Sequence, residues 1–321
     1  MSKGYKSKGS KKNQQLARQA PHIGAWMLRT NATLKRWIEP VLYYDMKLGH
    51  HGPQDISDCK RYHAFCCRPP SFFTEHVKIL SFGTSTDQSY ILPLLTTCTG
   101  VNSLELRRRF PPFLFRSIDE QQVFFDAYWN AISSPNLRPT KLVIDLHGHI
   151  YCFPELKPTH PLFSNVTHLE LEWFPPGPFT DENLLSLTKV IRFKVDLSES
   201  STAARDLKNF LPAAEATAKY CPPNARICLI WCNKLPLEQF VPLAPISQIS
   251  MGALGNKVVL GTRLLDKDGD LLEHPGYQCI LANWCLERRG REDIWQQAEM
   301  IVARRRLNSE VRVATGPNLG S

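Results

Sequence analysis

The 321-residue sequence lacks the short motifs that mark the common enzyme classes. It contains no GxSxG nucleophile turn, no glycine-rich phosphate loop and no HExxH zinc helix. Isolated reactive side chains have no surrounding set of groups with assignable catalytic roles; they are Asp145, His147, His149, Cys232 and Cys285. We therefore expect a non-catalytic protein, and a hydrolase built on an α/β sheet is the least favoured alternative.

Long apolar runs and paired cysteines are missing as well. No stretch approaches the roughly 18 consecutive apolar residues of a membrane-spanning helix. The N-terminal residues have no apolar core of a signal peptide. The ten cysteines include no CxxC pair, which predicts reduced thiols in a cytoplasmic or nuclear protein.

Two groups of possible metal ligands do not match a known ligand spacing, so we expect no metal and no other cofactor. The first group could hold zinc but lacks two close ligand pairs; it comprises His50, His51, Cys59, His63, Cys66 and Cys67. The second, Asp266–Asp270, has acids at alternate positions, as in a calcium loop. Its glycine stands fourth rather than sixth and Tyr277 occupies the twelfth position, so a hairpin turn is favoured.

Acidic residues are absent from the first 38 positions, which hold nine Lys and Arg residues. Subtracting nine from the 39 basic residues leaves 30, against 30 acidic ones, so the net charge of +9 comes from this segment. Residues 1–19 also have almost no apolar side chains, which predicts disorder, and we place a disordered basic tail at residues 1–30. The tail could bind nucleic acid or another polyanion. The folded body is neutral, which argues against a nucleic-acid-binding surface there. A mitochondrial presequence is a weaker interpretation.

A short apolar pattern recurs along the body of the chain. Each copy has an apolar residue, another three positions later, another three later, and a last one two later. The clearest copies are Cys98-Val101-Leu104-Leu106, Phe163-Val166-Leu169-Leu171, Leu187-Val190-Phe193-Val195 and Leu243-Ile246-Ile249-Met251. Weaker copies centre on Val77, Lys141 and Ala225. By subtraction most intervals are 21 to 25 residues, and two are 35 and 40, which is typical of leucine-rich repeats with insertions.

The repeat predicts an α/β fold in which each unit supplies one strand and one returning segment. Such units stack because none can bury its apolar edge alone. We expect an irregular leucine-rich-repeat-like solenoid with a curved, mostly parallel sheet and helices on the convex side. A doubly wound sheet is the alternative.

Alternation along the strands predicts a partner-binding concave face. We count positions from the second apolar residue of each copy, such as Val166 or Val190. If the fourth and sixth positions point into the core, the third and fifth point to the opposite face. These are Val143, Asp145, His168, Glu170, Arg192, Lys194, Ile227 and Leu229. The apolar pair Ile227 and Leu229 would form the centre of a contact patch with charges at its rim; a solvated face with Glu170 paired to Arg192 is the alternative.

Three amphipathic helices accompany the repeats. Asp119–Ser134 has Val123, Phe124, Ala127, Tyr128 and Ile132 on one face. Ser201–Tyr220 has Leu207, Phe210, Leu211, Ala214 and Ala218 on one face. The last, about Arg291 to Leu307, has Ile294, Trp295, Ala298, Ile301 and Val302 on one face, and we expect it to cap the solenoid.

Two further stretches resemble a known family. The run Arg36–Tyr43 (RWIEPVLY) resembles the end of the F-box in F-box proteins of mushroom-forming fungi. The residues Asp293, Ile294, Trp295, Ala298, Glu299, Ile301, Val302 and Arg305 resemble the close of those proteins. In that family the F-box binds the Skp adaptor of a cullin-RING ubiquitin ligase, and the repeats present a substrate. The Leu-Pro-x-Glu start of an F-box is absent, so the resemblance implies a truncated F-box.

Together these patterns predict four segments. They are a basic tail (1–30), an F-box remnant with a connector (31–75), the repeat solenoid (76–290) and a C-terminal capping helix with a tail (291–321). The predicted function is a protein–protein interaction module, with substrate recognition in a ubiquitin-ligase setting implied by the resemblance. Polyanion binding through the basic tail is the alternative.

Overall fold

The computed structural model describes residues 38–49, 62, 65–107, 115, 117–145, 156–172, 184–197, 207–232, 252–263, 279–282 and 294–314. The chain divides into two compact units, Met1–Leu142 and Val143–Ser321. Several sequence predictions lie outside the described residues: the tail at 1–30, the repeat strand at Ile246, the reactive residues His147, His149 and Cys285, the turn at Asp266–Asp270, and the possible zinc ligands His50, His51, Cys59 and His63.

The first unit contains the parallel strands β1 (Asp45–Leu48), β2 (Ile79–Phe82) and β3 (Ser103–Leu106), paired in chain order. Strand β4 (Lys141–Asp145) starts beside β3, where the amide N–H groups of Thr140 and Lys141 donate to the Asn102 carbonyl. Alternate residues of β1 to β3 lie in register and are buried. They are Met46, Leu80 and Leu104 in one row, and Leu48, Phe82 and Leu106 in the next.

In the described part of this unit, helices return between the strands at α1 (Pro70–His76), α2 (Gln88–Thr97) and α3 (Ile118–Ile132). Their starting points follow from local chemistry. The Asp87 carboxylate accepts a hydrogen bond from the Ser89 N–H at the start of α2, and the Ser117 hydroxyl accepts one from the Glu120 N–H at the start of α3. Both are N-caps, which satisfy amide groups that a helix leaves unpaired.

The predicted helix at Asp119–Ser134 is confirmed as α3, with one correction to its apolar face. Phe124, Tyr128 and Ile132 are buried as expected. Val123 is 69% exposed, and Ala131 is buried in its place. The helix packs against α2. Its buried face is narrower than the apolar face predicted from the sequence.

Cys98 confirms that a repeat cysteine can serve as a small core residue. It follows α2 directly, is fully buried, and burial raises the pKa of its thiol to about 12. Phe163 and Leu187, which are the first apolar residues of their copies as Cys98 is of its own, are also buried. A thiol in this environment is protonated and unreactive at neutral pH.

The second unit contains the end of β4, followed by β5 (His168–Glu172), β6 (Arg192–Asp196), β7 (Ile227–Cys232), β8 (Val258–Arg263) and β9 (Cys279–Ala282). Strands β5 to β9 are parallel and paired in chain order. Two buried rows cross them in register. One is Leu169, Phe193, Cys228 and Val258; the other is Leu171, Val195, Ile230 and Leu260.

The neighbour of β7 differs from the prediction. We expected the Ala225 repeat to be followed by a strand at Ile246. Instead, β8 at Val258–Arg263 pairs with β7. Its first residues are Val258, Val259 and Leu260, which favour a strand. A turn precedes it, in which Gly252 and Gly255 have positive φ angles that favour glycine.

In the described part of the second unit the α-helices are α4 (Leu207–Lys219) and α5 (Ile294–Ala314). Helix α4 confirms the predicted helix within Ser201–Tyr220 and contacts β7. Its Ala214 is buried, as expected. Short 3-10 helices at Pro161–Phe163 and Leu184–Ser186 precede β5 and β6.

The α/β class and the parallel pairing in chain order are confirmed within each unit. The doubly wound alternative requires a reversal of strand order, and the described strands of neither unit show one. The curvature of a leucine-rich-repeat solenoid stays a prediction. In the described part of the chain, no helix has both the length and the apolar character that membrane crossing demands.

His160 makes the stability of the second unit depend on pH. Its Nδ1 accepts a hydrogen bond of 3.2 Å from the Leu162 N–H, which caps the 3-10 helix at Pro161–Phe163. Burial lowers the pKa of His160 from its ordinary value of 6.5. The unfolded chain therefore binds a proton at higher pH than the folded one, and stability is lost as the pH falls from about 6.5 through the lowered folded value.

We expect a His160→Asn variant to lose less unfolding free energy than the wild type over that interval. Asn is a good N-cap and has no proton to gain. Urea unfolding at pH 7.5 and at several lower pH values measures the difference. Parallel pH profiles of the two proteins would contradict this role of His160.

Candidate functional site

The candidate site is one face of the sheet in the second unit, which we call the α5 face. Side chains alternate between the two faces of a strand, and the buried rows described above occupy the opposite face. Three cross-strand rows in register therefore make up the α5 face. They are His168, Arg192 and Ile227; Glu170, Lys194 and Leu229; and Glu172, Asp196 and Trp231.

The apolar part of this face is covered by helix α5. Ile227 and Leu229 are 2% and 0% exposed and form one cluster with Trp295, Ala298 and Val302. Trp231 and Val259 complete the cluster from the sheet, and Ile294 and Ile301 pack at its edge. The prediction that Ile227 and Leu229 form an accessible contact patch is wrong, because these side chains are part of the core. The predicted apolar face of the last helix is confirmed, and it packs against the apolar side chains of the α5 face.

Val143 and Asp145 on β4 are also inaccessible. Each is 1% exposed, although both were predicted to stand on an open face. Asp145 is a charged side chain at a buried position, which proteins tolerate when the charge has polar partners. A partner protein that binds the α5 face therefore has to contact the strands that follow.

Glu170 and Lys194 form an ion pair across β5 and β6. Their Oε2 and Nζ atoms are 3.3 Å apart, and the side chains are only 9% and 13% exposed. The Lys194 ammonium also lies 5.2 Å from the ring centroid of Trp231, an arrangement that stabilises a cation. The alternative prediction, a cross-strand pair of Glu170 with Arg192, is wrong, because Glu170 stands directly opposite Lys194 in the register.

Arg192 connects the sheet to helix α5. One terminal nitrogen lies 2.6 Å from Oε1 of Glu299, and the other lies 3.2 Å from Nε2 of His168. The guanidinium carbon is 5.9 Å from the ring centroid of Trp295, which His168 also meets edge-on. Since the Arg192 side chain is 26% exposed and that of Glu299 is 52% exposed, solvent or a partner can reach this group of charges.

Arg305 fastens the far end of the packed part of α5. Its guanidinium donates a hydrogen bond to the Val258 carbonyl at the start of β8, and the residue is 4% exposed. Burial lowers the pKa of Arg305. Helix α5 is thus held by the apolar contacts of Trp295 and Ala298, by the ion pair of Glu299 with Arg192, and by the hydrogen bond from Arg305 to the Val258 carbonyl.

The charged side chains beside helix α5 on this face form a surface that we call the polar strip. It consists of His168, Glu170, Arg192 and Lys194 from the strands and Glu299 from the helix. Its most exposed part is the Arg192–Glu299 pair, because Glu170 and Lys194 are nearly buried. Sequence analysis assigned the four strand residues to this face. It did not assign Glu299 to it, nor the indole rings of Trp231 and Trp295 that lie against Lys194 and Arg192. The run ICLIWC of β7 held the missing signal, since a continuous apolar strand is typical of burial on both faces.

The described residues include no group of three or more His, Cys, Asp or Glu side chains arranged to hold a metal ion. The charges of the polar strip are paired with one another. Such an arrangement can present charge to a partner with little rearrangement.

No protein-family model, no curated protein and no solved structure matches the chain.

Proposed function

We propose that this chain is a non-catalytic protein–protein interaction module that binds its partner through the polar strip. One observation carries the proposal: the half-exposed Arg192–Glu299 ion pair is held between a strand, a helix and the Trp295 ring. A charged pair fixed in this way needs little further ordering when a partner binds, which lowers the entropic cost of association. Complementary charges on the partner then provide specificity.

The proposed solenoid fold and the proposed ubiquitin-ligase complex are both based on the sequence patterns. Parallel strands in chain order support an irregular leucine-rich-repeat-like solenoid, in which the face of alternate residues is the usual binding surface. The resemblance to fungal F-box proteins supports substrate recognition in a cullin-RING ubiquitin ligase, in the cytoplasm or nucleus. The Skp adaptor would then contact the first unit, and the substrate would contact the polar strip of the second.

A charge swap between Arg192 and Glu299 tests the proposal. Affinity purification of the full chain with quantitative mass spectrometry first identifies proteins that co-purify with the wild type. We expect Arg192→Glu to reduce capture of the strip's partner by about tenfold or more, as loss of a central charged contact does. The Arg192→Glu/Glu299→Arg variant re-forms the ion pair with its charges exchanged, so it should fold normally but still fail to capture.

The control is Lys189→Glu, which makes the same change in net charge at an exposed position before β6. It should capture normally. If the charge swap restores capture, Arg192 has only a structural role and the polar strip is not the binding site.

The same experiment distinguishes partner capture through the polar strip from the alternative function, which is polyanion binding through the basic N-terminal segment. That binding would persist in every polar-strip variant and would weaken steeply with salt. Recovery of nucleic acid alone, without protein, would favour the alternative.

A further inference from the structure

His168, the first residue of β5, has a polar contact at both nitrogens of its imidazole ring. Nδ1 lies 2.8 Å from the hydroxyl oxygen of Thr167, and Nε2 lies 3.2 Å from a terminal nitrogen of Arg192. A guanidinium nitrogen can only donate a hydrogen bond, so Nε2 has to be the acceptor. The proton of the neutral ring therefore lies on Nδ1 and is donated to Thr167. A protonated imidazole donates at both nitrogens, so this arrangement requires His168 to be neutral.

The group that faces Nε2 is itself a cation. Arg192 stands directly opposite His168 in the register of β5 and β6. Its guanidinium lies over the ring of Trp295, which the imidazole meets edge-on with the ring centroids 6.4 Å apart. A proton on Nε2 removes the hydrogen-bond acceptor and brings two like charges together, which repel each other. The guanidinium therefore has to leave Nε2 when the imidazole is protonated.

Carboxylates on the neighbouring elements do not replace Arg192 at this nitrogen. Glu170, two residues further along β5, is in the ion pair with the next strand described above. Asp145, at the end of β4, is 1% exposed. Glu299 on α5 holds the other terminal nitrogen of Arg192, so it can attract a protonated imidazole only in competition with that pair. Protonation therefore removes the support that fixes the Arg192–Glu299 pair.

We propose that His168 is a positioning residue and a pH-sensitive latch of the polar strip: the neutral imidazole holds the Arg192 guanidinium in place, and a proton on Nε2 releases it. The consequence is weaker partner capture at lower pH, and this consequence rests on the proposed function. Once released, Arg192 and Glu299 have to be ordered when the partner binds, which adds an entropic cost. The latch is closed while His168 is neutral and opens as the falling pH protonates it.

NMR of the full chain tests the latch without a partner. A His160→Asn background removes the pH dependence that His160 gives to the stability of this unit. With ¹⁵N-labelled histidine and arginine, the proton of His168 should lie on Nδ1 at a pH of about 7.5. As the pH falls to about 5, which spans the usual range of histidine protonation, the side-chain signal of Arg192 should shift together with that of His168. Glutamine can accept from Arg192 and cannot ionise, so in His168→Gln the Arg192 signal should stay constant.

Partner capture by the full chain at the same two pH values tests the regulatory role. In the His160→Asn background, capture should fall by about tenfold at the lower pH, an effect of the size usual for coupled sites. With His168→Gln added, the ratio of capture at the two pH values should be close to one. The matched control is His76→Gln, which replaces a histidine on α1 of the first unit and should show the same fall as the background.

A proton on Nε2 of His168 at a pH of about 7.5 would overturn the inference, as would an Arg192 signal that stays constant while His168 becomes protonated. An equal fall in capture with and without His168→Gln would overturn it as well. Failure of the proposed function is a different result, in which the Arg192→Glu/Glu299→Arg variant captures as the wild type does. The NMR spectra then decide the latch alone.

Discussion

Replacing Leu229 with Ala should lower the free energy of unfolding by about 2–5 kcal/mol. Leu229 is fully buried between β7 and helix α5, in the cluster that contains Trp295 and Val302. The substitution removes buried apolar contacts and leaves a cavity that the sheet and helix can fill only partly. Urea denaturation of the full chain, followed by far-UV circular dichroism, measures the loss.

The matched control for this substitution is Met300→Ala. Met300 lies on α5 but is 61% exposed, so its truncation should change stability by no more than about 0.5 kcal/mol. If Leu229→Ala were equally mild and instead abolished partner capture, Leu229 would belong to an open binding surface. The buried arrangement predicts the reverse: a large loss of stability from Leu229→Ala and a small one from Met300→Ala.

Gly261→Ala should also be costly, by about 1–3 kcal/mol, because it overpacks the core. A Cβ atom at Gly261 would lie 2.4 Å from Cε3 of Trp231 and 3.2 Å from a methyl group of Leu229. The backbone at Gly261 is compatible with other residues, so the cost comes from this collision with the indole ring. Near-UV circular dichroism should change together with the stability, because the ring has to move.

A double-mutant cycle isolates the contact between Gly261 and Trp231. In a Trp231→Phe background the smaller ring leaves room, so Gly261→Ala should cost less there than in the wild type. An equal cost in both backgrounds would contradict the close approach of Gly261 to the indole. Lys194, whose ammonium lies near the same ring, should keep its ion pair with Glu170 in either background.

The strands of the fold could be predicted because the repeat fixes which residues are buried together. Leu169 and Leu171 on β5, and Phe193 and Val195 on β6, were expected to share a buried face, and all four are fully buried. Period-two alternation is a local property, so a single sequence reveals it. Strands β1 and β9 were not predicted, and their length does not explain this, because β2 and β3 also have four residues each.

The position of helix α5 could not be predicted in the same way. The stripe of Trp295, Ala298 and Val302 shows that the helix packs on something apolar, but it does not say on what. Arg192 and Glu299 are 107 residues apart, and such a pairing depends on the three-dimensional path of the chain. Ile227 and Leu229 had been placed on an open face because alternation was applied to β7 as to the other strands. Its continuous apolar run indicates a strand buried on both faces.

Hydrogen exchange of the full chain most directly tests whether α5 is an integral cover of the apolar part of the α5 face. If it is, the amide groups of Trp295 to Val302 should open with the same free energy as those of β7, because both depend on one apolar cluster. Residues 306–310, whose side chains are all exposed, should exchange faster. Exchange of the Trp295 to Val302 amides at least a hundredfold faster than that of β7 would contradict the account, because α5 would then be a detachable helix over an open apolar face.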